Sequence, residues 1–410
     1  MMAVLRVFPI LLLLFTGTCR QEKPPLVDVA PSIQLVESVP LETDLDDPTI
    51  PNTSGVWVEM IRDAVRSLDI AQFYIANREG EALEPVIDEI IRAAQRGVVV
   101  RVLAEKKFST VYPETLERLD GTDGIDVRIL DLKQVDGGVL HAKYFIVDGR
   151  SLFVGSQNMD WRALSHINEL GVRLTSVPVA AAFTRVFDYD WALAGGASPD
   201  DAENSSAGST AYDGSPVEIN DAVGKHMIVP VFSPRHLLPE GYGWDGDAIP
   251  ALIRSAEDSL KLQVLSYSAF EEFDAELFAA AQRGVRISLL VSDWSLSPKR
   301  QEALKRMQRT ENITVKISSI PEYSNGFISF ARVEHCKYLL ADAERAWIGT
   351  SNWSRDYFFS SRNAGLMLHS PALAAALHRK YARSWDGPYV SVMDTATTYT
   401  PRKRDDGSGN

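Results

Sequence analysis

Two blocks of the sequence place a histidine two residues before a lysine. In the first block, His141 and Lys143 are followed by Asp148, and the second block repeats the same spacing with His335, Lys337 and Asp342. An imidazole can attack a phosphorus atom or donate a proton to a leaving oxygen. A lysine ammonium group can stabilise the charge on phosphoryl oxygens. The paired blocks therefore predict phosphodiester chemistry with one histidine as nucleophile and the other as acid.

The match between the two blocks continues downstream. Asn158 and Asn352 lie at the same distance after their histidines, as do Gly155 and Gly349. The asparagines are candidate neutral donors to a phosphoryl oxygen. The blocks contain no carboxylate cluster and no second histidine at metal-ligand spacing, and the two lysines can supply the positive charge that a metal would otherwise give. We expect neither a metal nor a cofactor.

A longer repeat surrounds these blocks. The run AAQRGVVVRVL at 93–103 recurs as AAQRGVRISLL at 280–290, and an apolar strand-like segment precedes each copy, at 68–75 and 260–268. Apolar residues between 85 and 94 recur at helical spacing, which predicts a helix in the first copy.

Gly97 and Gly284 stand where a helix would end before a Val- and Ile-rich strand. The His-Lys blocks are themselves rich in Val, Leu, Tyr and Ile. They are therefore predicted as strands, with His141 and Lys143 on one face and His335 and Lys337 likewise.

Strand, helix and strand in each copy predict an α/β fold: two pseudo-symmetric α/β sandwich halves with the active site at their interface. The length of 410 residues suits two such units. The predicted boundaries are a signal peptide at 1–19, an extended surface segment at 20–52, the first half at 53–194, a linker or loop at 195–224, the second half at 225–392 and a flexible tail at 393–410.

The amino terminus resembles an export signal. One cation, Arg6, precedes an apolar run at 7–15, followed by small and then polar residues. Cys19 stands where a bacterial lipoprotein carries its acylated cysteine, although Thr16 and Thr18 depart from the usual pattern. Peripheral membrane attachment through Cys19 therefore stays open. We expect an exported protein, in a bacterial periplasm or anchored in the envelope, or otherwise secreted.

Composition limits the classes of partner. Hydrophobic residues make up 45% and charged residues 24%, which is typical of a globular protein. The net charge of −13 disfavours a broad basic face for duplex DNA. With only two cysteines, Cys19 and Cys336, a disulfide framework is excluded. The oligomeric state is left open.

The duplicated H-x-K-x4-D blocks resemble the phospholipase D superfamily, and the resemblance extends over 36–385. It implies His141 as the nucleophile, His335 as the acid and a phosphohistidine intermediate. It also implies a carboxylate that holds the nucleophile, for which Glu169 is the candidate, whereas Asn363 stands at the matching offset in the second half. The resemblance makes Asp148 and Asp342 structural, tying the strand to its neighbours, while a simple hairpin turn at Asp148 is the alternative.

Within the superfamily, strings such as GVLHAKYFIVDG, GSQNMDWRALS and IGTSNWSRDYF are most similar to lysosomal phospholipase-D-like exonucleases that trim single-stranded nucleic acid from the 5′ end. This resemblance implies a metal-independent phosphodiesterase acting on a single strand. A phospholipase or phosphatidyltransferase acting on phospholipid headgroups is the alternative, and a catalytically silent binding protein is disfavoured because both blocks are intact. Aromatic residues near the second block (Trp353, Tyr357, Phe358 and Phe359) could stack on bases or belong to the core.

Overall fold

The computed structural model describes residues 29–135, 137–206 and 212–405. The predicted signal peptide and Cys19 lie outside these residues. Within the described ranges, no helix is both long and apolar enough to span a membrane.

The first half begins at residue 32 and alternates strands with helices. Its elements in chain order are β1 (Ser32–Ser38), α1 (Thr53–Arg62), β2 (Ser67–Gln72), β3 (Ile75–Ala76), α2 (Glu84–Gln95), β4 (Val99–Glu105), α3 (Lys106–Ser109), α4 (Pro113–Asp120), β5 (Ile125–Leu130), β6 (Tyr144–Val147), β7 (Ser151–Gly155), β8 (Met159–Asp160), α5 (Trp161–Ser165), β9 (Glu169–Thr175), α6 (Val177–Ala194) and α7 (Pro199–Ser206).

The second half repeats this succession and adds strands at its edges. Its elements are β10 (Val217–Asp221), β11 (Gly224–Ser233), β12 (Gly243–Trp244), α8 (Asp245–Arg254), β13 (Ser259–Val264), α9 (Glu271–Gln282), β14 (Arg286–Ser292), α10 (Pro298–Gln308), β15 (Ile313–Ser318), β16 (Tyr338–Ala341), β17 (Arg345–Gly349), α11 (Arg355–Phe359), β18 (Asn363–His369), α12 (Pro371–Trp385) and β19 (Val390–Val392).

The two main sheets have the same strand order, which confirms the repeat. The first runs β1-β9-β7-β6-β2-β4-β5, and the second contains β11-β18-β17-β16-β13-β14-β15 in matching positions, extended by β10, β12 and β19. In each sheet the strands of the strand-helix-strand units are parallel and the other main strands are antiparallel, while the short β12 pairs parallel with β11. The predicted pseudo-symmetric α/β architecture is confirmed.

The repeated unit forms as its sequence predicts. Helix α2 covers the apolar positions predicted between 85 and 94, and its buried face includes Ile87 and Ile90. Gly97 and Gly284 follow α2 and α9 with φ of 87° and 93°. A residue with a side chain rarely adopts such positive φ, so glycine is suited to end each helix and let the next strand begin.

One hydrophobic core joins the halves. Helices α6 and α12 lie between the sheets, and Phe183 and Tyr381 from these helices share a buried cluster with Tyr144 and Tyr338 from the sheets. Separate clusters on the outer faces pack α1 and α2 against the first sheet and α8 and α9 against the second. The layers therefore alternate helix, sheet, helix, sheet and helix, with the interface as the central layer.

The predicted extended surface segment at 20–52 is partly wrong. Residues 32–38 form β1, which pairs antiparallel with β9, and Leu35 and Val36 are buried. The Pro- and Asp-rich composition around this short strand concealed it, because the apolar residues number too few to show an alternating pattern.

The predicted linker and tail also contain ordered structure. The linker range 195–224 includes α7 and β10, and β10 pairs with β11. In the tail, Met393 is buried and the Tyr399 carbonyl oxygen accepts a hydrogen bond from Gln301 at 2.7 Å. Both segments are polar in composition; β10 pairs with the strand that directly follows it, whereas the tail is held by a residue distant in sequence.

Two fully buried ion pairs cross the interface. Arg362, just before β18, donates to Asp190 of α6 at 2.8 to 3.0 Å, and Lys380 of α12 contacts Glu37 of β1 at 2.6 Å. All four side chains are almost completely excluded from solvent. Each pair therefore joins a charge of one half to a charge of the other where water cannot replace a lost partner.

We expect Asp190→Ala to destabilise the protein by about 3–5 kcal/mol, because it leaves the Arg362 guanidinium buried without its counter-charge. Thermal unfolding measures the change. Asp188→Ala is the matched control on the same helix, since the Asp188 pair with Arg101 is partly exposed and should contribute at most about 1 kcal/mol. Equal shifts for both variants would contradict a special role for the interface pair.

Candidate active site

Each His-Lys block lies in an extended segment just before a strand, so the prediction that the blocks are strands is wrong by a few residues. Strands β6 and β16 begin at Tyr144 and Tyr338, after the lysines. The backbone of each block pairs with the other half instead. The His141 amide donates to the Arg362 carbonyl at 2.8 Å, and the His335 amide donates to the Asn168 carbonyl at 2.9 Å.

These crossed backbone bonds bring both histidines to the interface. Their side chains are nearly buried, with 3% of His141 and 9% of His335 exposed. The two imidazoles and the two lysines are close enough for their charges to act on one another. The predicted site residues His141, Lys143, His335 and Lys337 therefore lie together between the halves.

The two histidines exchange partners between halves. His335 Nδ1 lies 2.8 and 2.9 Å from the carboxylate oxygens of Glu169, and His141 Nδ1 lies 2.9 Å from Asn363 Oδ1. The prediction that Glu169 holds His141 is therefore wrong. The equal offset of Glu169 and Asn363 from the histidine of their own half identified both partner residues. However, β9 and β18, which begin with these residues, place each of them beside the histidine of the other half.

Neighbouring bonds set the orientation of the Asn363 amide. Its Nδ2 donates to the Tyr357 carbonyl at 2.7 Å, while Thr350 Oγ1 donates to its Oδ1 at 2.8 Å. Oδ1 thus faces His141, whose Nδ1 must carry the proton. The Nε2 lone pair of a neutral His141 is then available for attack.

Glu169 is arranged to favour a protonated His335. The Ser156 hydroxyl donates to the carboxylate, and Glu169 itself is fully buried. Although burial alone would raise the pKa of Glu169, the neighbouring His335, Lys337 and Ser156 bring it below its usual value. An ionised carboxylate next to His335 favours the imidazolium.

Burial and charge separate the two imidazoles. Burial, followed by the charges of Lys143 and Lys337, lowers the pKa of His141 well below its usual value. Burial also lowers the pKa of His335, but the Glu169 charge opposes that effect. His335 therefore keeps its proton to a higher pH than His141, which suits an acid beside a neutral nucleophile.

The lysines supply buried positive charge. Lys143 Nζ and Lys337 Nζ each donate to the carbonyl oxygen of the histidine two residues before, at 2.5 and 2.6 Å. Burial lowers the pKa of Lys337 to about 8. Burial and the Lys337 charge lower that of Lys143 well below its usual value. A phosphodiester anion between them would favour the charged form of both.

Close packing of glycines positions the two hydroxyls. Gly155 is paired with Gly171, and Gly349 is paired with Gly365. A Cβ atom on Gly155 would come within 2.5 Å of the Gly171 Cα. Because the strands approach closely at these glycines, Ser156 can reach Glu169 at the start of β9. Thr350 reaches Asn363 at the start of β18 in the same way.

Asn158 and Asn352 are buried beside these hydroxyls, two residues further along. The Asn158 Nδ2 donates to the Tyr74 hydroxyl at 3.3 Å. Within the described part of the chain, Oδ1 of both asparagines has no hydrogen-bond partner. Buried polar atoms are normally satisfied, so each amide oxygen can still accept a hydrogen bond from a ligand, whereas a phosphoryl oxygen would have to be bound by the Nδ2 hydrogens.

Asp148 and Asp342 follow β6 and β16, and each binds the backbone amides at the start of the neighbouring strand, β2 or β13. Asp148 accepts hydrogen bonds from backbone amides at 65–67, and Asp342 accepts from those at 257–259. Both have positive φ, 54° and 52°. These contacts tie the end of β6 to the start of β2, and the end of β16 to the start of β13, which is the structural role that the resemblance implies.

Aromatic rings pack against His141. Phe73 and Tyr357 contact its ring at centroid distances of 4.8 and 4.6 Å, and Phe73 packs against Phe108 at 4.4 Å. Trp353 and Phe358, also candidates for base stacking, instead belong to the core of the second half.

Sequence reasoning missed three side chains of the site. Ser156, Thr350 and Phe73 contact Glu169, Asn363 and His141 respectively. The two hydroxyl residues occupy equivalent positions before Asn158 and Asn352, so an alignment of the two blocks could have found them. Nothing in the local sequence distinguishes Phe73 from a core residue.

Comparison with known proteins is consistent with this geometry. The family model described as "Cardiolipin synthase, PLD-like domain" matches residues 57–191 and 249–385. The human protein "5'-3' exonuclease PLD3" is 30% identical, with 92% of this chain and 83% of that protein covered. "Phospholipase D Z" from Dictyostelium discoideum is 28% identical, with 89% and 91% covered.

A solved structure shows the same fold at low sequence identity. The phosphatidylserine synthase of Haemophilus influenzae Rd KW20 superposes with a TM-score of 0.61 at 13% identity, over 88% of this chain and 87% of the synthase. That similarity supports the arrangement of two pseudo-symmetric halves.

Replacing Glu169 should change the titration of His335 more than that of His141, which Glu169 does not contact. We expect Glu169→Gln to lower the His335 pKa by about 1–3 units, because the carboxylate favours the protonated ring. The reciprocal variant Asn363→Asp should raise the His141 pKa for the same reason. NMR titration of labelled histidines measures both values, and a Glu169→Gln response confined to His141 would contradict the exchange of partners.

Proposed function

The chain belongs to the phospholipase D superfamily and is a phosphodiesterase of that family; from this premise we propose that it is a single-strand exonuclease acting through phosphohistidine. The observation that carries the mechanism is the unequal pair of partners, Glu169 on His335 and Asn363 on His141. One imidazole is set as a neutral nucleophile and the other as a proton donor.

In the first step, His141 Nε2 attacks the phosphorus atom and forms a P–N bond. The P–O bond on the opposite side breaks, and the leaving oxygen takes the proton of His335. Lys143 and Lys337 stabilise the charge on the non-bridging oxygens, assisted by Asn158 and Asn352. Asn363 keeps the His141 Nδ1 proton in place throughout.

In the second step, water enters from the side that the leaving group has left. His335, now neutral, takes a proton from this water as its oxygen bonds to phosphorus, and the P–N bond breaks to restore His141. Glu169 stabilises the imidazolium that forms again on His335. The protein groups balance all charge and proton transfers in this scheme, so we propose that the reaction proceeds without a metal.

Two observations support nucleic acid as the substrate. The relatives named as 5'-3' exonucleases align over about nine-tenths of this chain, at 29–31% identity. Phe73 and Tyr357 pack against His141, and Phe73 against Phe108, so aromatic rings on which a base can stack lie beside the nucleophile. Cleavage of terminal nucleotides from the 5′ end is the activity that we propose for this chain.

Hydrolysis or transfer of phospholipid headgroups is the second candidate. The Dictyostelium relative carries the name phospholipase D and aligns with most of this chain. The same histidine chemistry would serve a lipid phosphodiester, with an alcohol replacing water in a transfer reaction. The two candidates differ in the group bound beyond the scissile phosphate.

We also propose that the protein is exported, and the supporting observation is the pattern of Arg6 and the apolar run at 7–15. Amino-terminal sequencing of the mature protein tests this. A terminus near Cys19 is expected, with a lipid adduct on that residue if the anchored form is correct. An intact Met1 would contradict export by this signal.

Activity in EDTA tests the chemistry and the substrate together. We expect the purified protein to release nucleotides from single-stranded DNA labelled at the 5′ end, and to leave phosphatidylglycerol and phosphatidylcholine intact. Headgroup release without nucleotide release would select the lipid candidate. Inactivity on all substrates in EDTA, with activity restored by a divalent cation, would contradict the metal-free mechanism.

His141→Ala should lower the rate by more than about 1000-fold, because it removes the nitrogen that forms the covalent intermediate. The matched control is His369→Ala, which removes an exposed histidine at the end of β18 and should retain activity. Full turnover by His141→Ala would exclude this histidine as the nucleophile.

A further inference from the structure

Each half has a groove in the same place, beside the loop that follows strand β2 or β13. The groove of the second half has a volume of about 670 Å³ and is bordered by Ser268, Ser297, Lys299, Arg300 and Arg306. The groove of the first half has about 270 Å³ and is bordered by Arg78, Tyr112 and Trp161, among others. The fold therefore repeats the groove, whereas the side chains differ.

The second groove adjoins the active site through two hydrogen bonds. Arg300 Nε donates to Ser268 Oγ at 3.0 Å, and the Ser268 amide donates to the carbonyl oxygen of Trp353 at 2.8 Å. Trp353 directly follows Asn352, which we place among the groups that bind the phosphoryl oxygens. A chain held at the paired histidines could therefore continue into this groove.

The groove has an excess of unpaired positive charge. Lys299 is exposed and Arg300 is partly buried, and neither forms an ion pair within the described part of the chain. Arg306 is bound by Asp274 at 2.5 Å, and the bordering Glu302 is mostly exposed, 3.7 Å from Lys305. The neighbouring cations are therefore not neutralised by the protein itself.

A further cation lies close to Arg300. The Arg404 guanidinium packs over the Trp294 ring at 5.1 Å from its centroid. Burial, and next the charge of Arg300, lower the pKa of Arg404, whereas the charge of Asp293 opposes them. Asp293 offsets part of the Arg404 charge, so the attraction for an anion in the groove comes first from Lys299 and Arg300, which border it.

The first groove provides a contrast. Arg78 lies over the Trp161 ring at 5.0 Å, and Arg162 is neutralised by a buried contact with Asp160 at 2.9 Å. Its aromatic border offers stacking surfaces more than free positive charge. The second groove, with Lys299 and Arg300, has the chemistry that binds phosphate groups.

We propose that the groove at Lys299 and Arg300 binds backbone phosphates of the substrate strand beyond the scissile one. The inference rests on the proposed function and adds to it the side of the molecule along which the strand runs. Arg300 can offer two parallel N–H donors to one phosphate, while Lys299 adds a mobile point charge. The groove should therefore contribute to binding of long substrates and make no contribution for a substrate with a single phosphate.

The test compares the double variant Lys299→Gln, Arg300→Gln with Arg286→Gln. Arg286 is an exposed cation of the same half, at the start of β14 and thus at the opposite end of that strand from the site. For a single strand of about twelve nucleotides, we expect the double variant to raise KM by about tenfold with kcat unchanged. Hydrolysis of bis(p-nitrophenyl) phosphate should be unchanged in both variants.

Salt dependence gives a second readout. Loss of two phosphate contacts should reduce the slope of log KM against log salt concentration by about 1.4 for a single strand. The single variant Arg300→Lys keeps the positive charge. Its slope should therefore be close to that of the unaltered protein, and its affinity for the strand should be only partly reduced. Arg286→Gln should behave like the unaltered protein.

The possible outcomes distinguish failure of the groove proposal from failure of the exonuclease proposal. If the unaltered protein degrades single strands but the double variant keeps the same KM and salt slope, the groove proposal is wrong and the exonuclease proposal stands. An equal loss on the strand and on bis(p-nitrophenyl) phosphate would show damage to the catalytic site, and would also reject the groove. An unaltered protein that degrades no nucleic acid, with the double variant impaired on anionic vesicles, would overturn both proposals.

Discussion

The exchange of partners across the interface is the constraint on which the site depends. Neither histidine is oriented by its own half, because Nδ1 of each ring is bound by the first residue of β9 or β18 from the other half. The backbone amides of the histidines are bound across the interface as well. The halves must dock in one register for either imidazole to function, and the shared core and the buried pair of Arg362 with Asp190 hold that register.

The two halves are symmetric, and one difference of side chain gives the two histidines different roles. Glu169 and Asn363 occupy equivalent positions and receive equivalent hydroxyl donors, yet only Glu169 carries charge. A carboxylate beside His335 favours a protonated ring, and an amide oxygen beside His141 holds a neutral ring in one tautomer. The duplicated fold thus places two partner residues in equivalent positions. The reaction requires them to differ in charge, so that one histidine is neutral and the other protonated.

Much of this could be predicted from the sequence because the repeat is itself a long-range signal. The equal spacing of His141 and His335 with their lysines and asparagines predicted two halves with a shared site, and the strand order confirms those halves. The partner of each histidine could not be predicted, since an offset along the chain does not show which side of the interface a strand reaches. Strand β1 was missed for a related reason. Its burial depends on β9 and on Lys380 of the other half, which leave no local pattern.

The central claim is that His141 forms the covalent bond and His335 moves the protons. The most direct measurement uses His335→Asn with bis(p-nitrophenyl) phosphate, whose leaving group departs without an acid. We predict a burst of about one nitrophenolate per site followed by a stall, since His335, the base that activates water, has been removed. Mass spectrometry should then place a nitrophenylphosphoryl group on His141. An adduct on another side chain, or steady turnover without a burst, would contradict the account.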